Sequence, residues 1–142
     1  MTEERIKELF SQGFDCSQVA LLSAAEHLGL SDEEALRLSA AFGGGMYAGE
    51  TCGAVVGALI AIGYKYGHSA PNEFEKKGEL MAKVNSFRAA FIAEQGSTMC
   101  RDILGHDISV PGEMDKVLEK GLLMDLCPKA VMTAIKALDE VL

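Results

Sequence analysis

The stretch from Thr51 to Tyr66 constrains this chain most, because it is apolar on almost every side until Lys65. A helix without a polar face must be surrounded by other elements. The expected fold is therefore an all-α single helical bundle with this segment, residues 51–66, as its central buried helix. No stretch shows the period-two alternation of a half-buried strand, and apolar spacing elsewhere reads as helix. The apolar run from Gly53 to Tyr64 is too short to span a bilayer. Hydrophobic residues make up 49% of the 142 residues, enough for a core without disulfide staples. One all-α domain over residues 1–142 is the expectation.

Local signals set the helix boundaries. Thr2 to Ser11 reads as a short amphipathic helix with Ile6 and Phe10 inward, ended by Gly13. Asp15 and Gln18 have the spacing of a capping box and open a helix to about Leu28, which Gly29 stops. Ser31 and Glu34 repeat that signal before a helix with Ala35, Leu38 and Phe42 on one face. Gly43-Gly44-Gly45 breaks the pattern, and Gly43 to Glu50 reads as a loop before the central helix. Pro71 is expected to open a long helix to Gln95 with Leu80, Val84, Phe87 and Phe91 as its seam and Gly78 as a candidate break. Gly96 ends it, and Ser97 or Thr98 caps a short helix through Leu104. A loop follows to Gly112, then a short helix from Glu113 to Lys120. Cys127-Pro128 is expected to open the last helix, since proline suits the first helical position. Val131, Ile135, Leu138 and Leu142 form its buried stripe.

On this reading Cys16, Cys52, Cys100 and Cys127 each fall where a helix begins. The first turn of a helix offers unpaired N–H groups and the positive end of the dipole, which favour thiolate. Short connections make consecutive helices antiparallel. Cys16, Cys52 and Cys100 are then gathered at one end of the bundle, and Cys127 joins them if the last helix runs parallel to the central one. A lone cysteine is more often an inert packing residue; a gathered set points to chemistry. Gly53, Gly57 and Ala61 recur every four residues, a small-residue stripe that fits close helix packing.

These residues resemble the C_GCAxxG_C_C family. The stretch Cys52-Gly53-Ala54-Val55-Val56-Gly57 is similar to the motif in the middle of its name. Cys16 precedes that motif, and Cys100 and Cys127 follow it, in the order the name gives. The name writes glycine before cysteine, whereas this chain has Cys52 before Gly53. The resemblance implies redox activity carried by the cysteines and specifies no substrate.

Other chemistry finds less support. Net charge is −8, which argues against nucleic acid or an anionic membrane surface as partner. The opening MTEERIKELF lacks the apolar core of a secretory leader, so cytoplasmic location is the expectation. In a reducing cytosol the cysteines become metal, redox or packing residues. There is no Cys-x-x-Cys, hence no thioredoxin-like site or zinc knuckle. His27 is too far along its helix from Cys16 to share a metal with it, at about 1.5 Å rise per residue. His68 and His106 read as solvated loop residues, with His106 a remote candidate base near Cys100. Met46 and Tyr47 either line a pocket or cover the core, and the loop around them lacks the ending of a phosphate-binding loop.

Three functional readings follow. In the first, Cys16, Cys52, Cys100 and Cys127 perform thiol–disulfide chemistry, with Cys52 as the activated thiolate and no cofactor needed. In the second, the same four cysteines hold zinc or an iron–sulfur cluster. In the third, they are inert in a helical binding or assembly module. A redox partner protein or a small thiol is the expected partner of the first. An apolar face on the Thr2 to Ser11 helix would suit a homodimer.

Overall fold

The computed structural model describes residues 1–142. The Thr2 hydroxyl accepts the Arg5 N–H at 3.1 Å and starts α1, Glu3–Ser11. Ile6 and Leu9 are buried where α1 packs on the last helix, and Phe10 is half-buried. The apolar face suggested as a dimer surface is thus covered within the chain. The Asp15–Gln18 capping box opens α2, Cys16–Leu28, and Gly29 closes it in the left-handed conformation at φ 72°. The Ser31–Glu34 box opens α3, Asp32–Ser39. The face of α3 differs from the expected one. Ala35 and Ser39 are buried, whereas Leu38 is 53% exposed. Ser39 resolves its polarity internally, since its hydroxyl donates to the Ala35 carbonyl at 2.7 Å and its carbonyl accepts the Ser17 hydroxyl at 2.7 Å.

The central helix is α4, Gly53–Tyr66, with Cys52 at its N-cap. Ala54, Val55, Ala58, Ala61 and Ile62 are fully buried among α2, α5 and the last helix. Val56, Leu59, Ile60 and Gly63 are only half-buried and Tyr64 is exposed, so one side reaches the surface. Gly53 and Gly57 of α4 face α2. A Cβ on Gly57 would collide with the Ser17 carbonyl oxygen and stand 3.0 Å from the Ala20 Cβ. This is close packing, and it offsets the propensity cost of glycine in a helix, about 1 kcal/mol.

The long helix α5 spans Phe74–Gln95, three residues later than Pro71 predicts. Asn72 sits at φ 64°, which no right-handed helix accommodates, and the Glu73 carboxylate accepts the N–H groups of Ser69 and Ala70. Phe87 and Phe91 stack against each other in the core, with ring centroids 6.2 Å apart. Gly78 does not break α5. A Cβ there would meet nothing within 4 Å. Gly78→Ala is therefore expected to stabilise the protein by roughly 0.5–1 kcal/mol through propensity alone, read as a higher midpoint in urea unfolding.

Three helices complete the chain: α6, Cys100–Leu104; α7, Glu113–Glu119; and α8, Leu122–Val141. The cap of α6 is Met99, whose N–H is taken by the Ser97 hydroxyl at 3.0 Å. The start of α8 corrects the sequence reading. The helix begins after Gly121, at φ 66°, and Pro128 lies inside it. Proline in a helix interior costs about 3 kcal/mol. The fully buried Pro128 ring, together with Leu122, Leu123 and Leu126 packed against Cys100, Leu104 and Val117, offsets that cost. Cys127 consequently lies in the second turn of α8, away from its free N–H groups. No helix is long and apolar enough to cross a membrane.

Candidate functional site

Two pieces of backbone chemistry draw the cysteines together. The first is the approach of α2 to α4. A Cβ on Gly53 would collide with the Cys16 Sγ and stand 2.8 Å from the Phe42 carbonyl oxygen. Glycine at 53 therefore vacates the space that the Cys16 sulfur fills beside Cys52. The second is a short antiparallel bridge between Thr51 and Met99. The Cys52 N–H donates to the Thr98 carbonyl at 2.7 Å, and the Cys100 N–H donates to the Glu50 carbonyl at 2.6 Å. This bridge ties the start of α4 to the start of α6. Leu123, Cys127 and Ala130 lie on one face of α8 and complete the wall.

All four cysteines line a single cavity of about 200 Å³. It lies where the main core, which contains Cys52, meets the smaller cluster around Cys100. Its polar lining besides the cysteines is Asp15 and Tyr47. The loop between α3 and α4 brings Tyr47 there through an unusual backbone. Gly44, Gly45, Met46 and Tyr47 are four consecutive residues at positive φ, between 56° and 63°. Each non-glycine residue in that region costs roughly 1–2 kcal/mol. The Tyr47 hydroxyl donates to the Asp15 carboxylate at 2.8 Å, and Arg101 Nε donates to the Gly49 carbonyl at 2.9 Å, fixing both ends of the turn. Glycine at 43 is required because a Cβ there would collide with the Asp15 side chain.

The four thiols are not electrostatically equivalent. Cys16 is lowered from 9.0 to about 7, first by the hydrogen bond that the Cys52 thiol donates to it and then by N–H groups of Gly44 and Ser17. Burial and the Asp15 charge oppose that shift. Cys52 moves the other way, well above its ordinary value, because ionising it would break the bond to Cys16 and bring two charges together in a buried place. Within the pair, Cys16 is the favoured place for a negative charge. Cys100 is raised to about 11 by burial and by the charges on Cys16 and Asp107. Burial also pushes the Cys127 thiol up.

Of the four thiols only Cys16 is shifted down, and the start of α2 contributes the Ser17 N–H to that shift, after Cys52 and the Gly44 N–H. Cys100 does begin a helix, but α6 has five residues and the Cys100 N–H is consumed by the bridge, so burial dominates. Asp15, read in the sequence only as a cap, is also the charge nearest the reactive sulfur. Asp15→Asn preserves the acceptor for Tyr47 and removes that charge. The titration midpoint of Cys16, followed by thiolate absorbance near 240 nm, is expected to move below pH 7.

The histidines stand apart from the cavity. His27 meets Lys65 at 2.8 Å, His106 is held by the Glu113 carboxylate at 2.8 Å, and His68 is exposed. Met46 is outside the lining as well. Although the four thiols face one cavity, no three His, Cys, Asp or Glu side chains come close enough together to hold a metal ion. A family model described as "Putative redox-active protein (C_GCAxxG_C_C)" matches residues 14–141. No curated protein and no solved structure matches the chain.

Proposed function

The chain belongs to the C_GCAxxG_C_C family, and from that premise we propose that it is a thiol–disulfide redox protein whose working pair is Cys16 and Cys52. One observation carries this reading: Cys16 and Cys52 line one apolar cavity side by side, with the Cys16 sulfur in the space that glycine at 53 leaves open, and their mutual influence lowers Cys16 and raises Cys52. Cys16 is the attacking sulfur. At neutral pH a thiolate with its pKa near the ambient value combines a large ionised fraction with good nucleophilicity. It attacks one sulfur of a disulfide substrate and forms a mixed disulfide, and the other substrate sulfur leaves as thiolate.

Cys52 resolves the mixed disulfide. While Cys16 is charged, Cys52 is held protonated. Once the Cys16 sulfur is bonded, its charge is gone and the main cause of that elevation with it. The departed thiolate then takes the Cys52 proton, and the Cys52 sulfur attacks Cys16 Sγ. A Cys16–Cys52 disulfide forms and the second substrate sulfur is released. The protein loses two electrons and the substrate gains two. A small uncharged thiol restores the dithiol, and a pair that rests reduced suits a reducing cytosol.

Counting thiols tests this reading. Reduced protein treated with a mild disulfide oxidant is expected to lose two of its four thiols, and dithiothreitol restores them. Four thiols that stay unreactive until the protein is unfolded would contradict redox function.

A further inference from the structure

The Cys16–Cys52 pair opens onto walls with a definite chemistry. Thirteen of the 17 lining residues are hydrophobic, Phe10, Phe14, Ile103, Ile108, Met114 and Leu123 among them, and no lysine, arginine or histidine contributes. The single carboxylate, Asp15, already accepts the Tyr47 hydroxyl. A charged substrate entering here would shed water; an anion would find no cation to pair with, and a cation would find only the Cys16 sulfur and an Asp15 carboxylate already engaged by Tyr47, so burial disfavours both. The chain's net charge of −8 adds repulsion for anions. A volume of about 200 Å³ is on the scale of the apolar cavities of about 150 Å³ that hold one small aromatic molecule. It is smaller than the roughly 300 Å³ at which typical ligand pockets begin.

We infer that the substrate of the Cys16–Cys52 pair is a small, uncharged, apolar disulfide, admitted by a cavity that excludes charged and peptide disulfides. This inference rests on the redox reading above. The electron balance is that of ordinary exchange. The protein enters with one thiolate and one thiol, the disulfide R–S–S–R is cleaved, and the products are the protein disulfide, one R–SH and one R–S⁻.

The test measures how fast the reduced, full-length protein forms the Cys16–Cys52 disulfide with three oxidants. Diethyl disulfide is neutral, cystamine is cationic and oxidised glutathione is anionic. Each rate is divided by that oxidant's rate with free 2-mercaptoethanol, which removes intrinsic reactivity. Net charge alone would rank the cation first, so the cavity and the overall field make different predictions. The expected result is diethyl disulfide ahead of both others by about tenfold or more, the discrimination one or two buried methylenes give. Ala130, fully buried in the cavity wall, supplies a second measurement. Ala130→Leu fills the cavity and is expected to cut the preference for diethyl disulfide about tenfold. If that variant does not fold, the ranking on the unaltered chain still decides. Cystamine fastest would overturn the inference in favour of selection by Asp15. Glutathione disulfide equal or fastest would overturn it in favour of an open site. A protein that forms no Cys16–Cys52 disulfide with any of the three would remove the redox reading itself.

Discussion

Cys16→Ser is expected to slow alkylation of the folded protein at pH 7 by about tenfold or more. With its pKa at about 7, Cys16 is about half thiolate at that pH. Cys100, at about 11, is ionised in roughly one molecule in ten thousand. That ratio overstates the difference, because a more basic thiolate is a better nucleophile. With a Brønsted slope of about 0.4–0.5, a gap of about four units returns a factor of roughly 40–100. Held at those values the loss would be roughly fiftyfold to a hundredfold, but removing the Cys16 charge also lowers Cys52 and Cys100, which brings it to about tenfold or more. Cys127→Ser is expected to leave the rate nearly unchanged, since burial keeps that thiol protonated. Iodoacetamide labelling resolved by peptide mass spectrometry reads both variants. Equal rates in Cys16→Ser and the parent protein would place the thiolate elsewhere.

The second large effect is a steep loss of stability above pH 9. Cys52, Cys100 and Cys127 are all raised in the folded state, by burial and by the Cys16 charge. In the unfolded chain they titrate near their ordinary value of 9.0. Their contribution is fully present below that value. As pH rises past it, the unfolded state releases three protons that the folded state keeps. Stability then falls by about 4 kcal/mol per pH unit, three times the slope for one proton. Cys16 has the opposite sign. Its folded value is depressed to about 7, so it stabilises the protein increasingly between pH 7 and 9, by about 1.4 kcal/mol per unit. From the thiols alone, stability peaks near pH 9 and collapses beyond it. Urea midpoints at pH 7, 8, 9 and 10 trace this curve, and Cys127→Ala should remove about a third of the alkaline slope. A flat profile from pH 9 to 10 would show that these thiols are not held neutral.

Much of this architecture is legible in the sequence because its signals are local. The boxes at Asp15–Gln18 and Ser31–Glu34, and the glycines at 29 and 96, set helix ends through contacts within a few residues. The glycine stripe of α4 was readable as packing. Its consequence for the site was not, because the need for glycine at 53 comes from Cys16, 37 positions away. Pro71 and Pro128 mislead for a related reason. Pro71 has the local preference of a first helical residue, but Asn72 and Glu73 close a turn first. Pro128 lies inside α8 because tertiary packing around Leu123 and Leu126 outweighs its local cost.

The unequal shifts of Cys16 and Cys52 are hidden from the sequence for the same reason. A helix start favours ionisation of either thiol and does not choose between Cys16 and Cys52. That choice depends on one donated hydrogen bond and on the turn that brings the Gly44 N–H to the Cys16 sulfur. Nothing in the spacing of Gly43-Gly44-Gly45 announces four successive residues at positive φ, two of them Met46 and Tyr47. The Tyr47–Asp15 contact across that turn was equally hidden, since it joins residues 32 positions apart.

The most direct measurement is to oxidise the reduced protein with less than one equivalent of disulfide, alkylate the remaining thiols at low pH, and map the bond by peptide mass spectrometry. The expected product is a Cys16–Cys52 disulfide with Cys100 and Cys127 alkylated. A first disulfide that excludes Cys16, or one that joins Cys100 to Cys127, would contradict the assignment of Cys16 and Cys52 as the working pair.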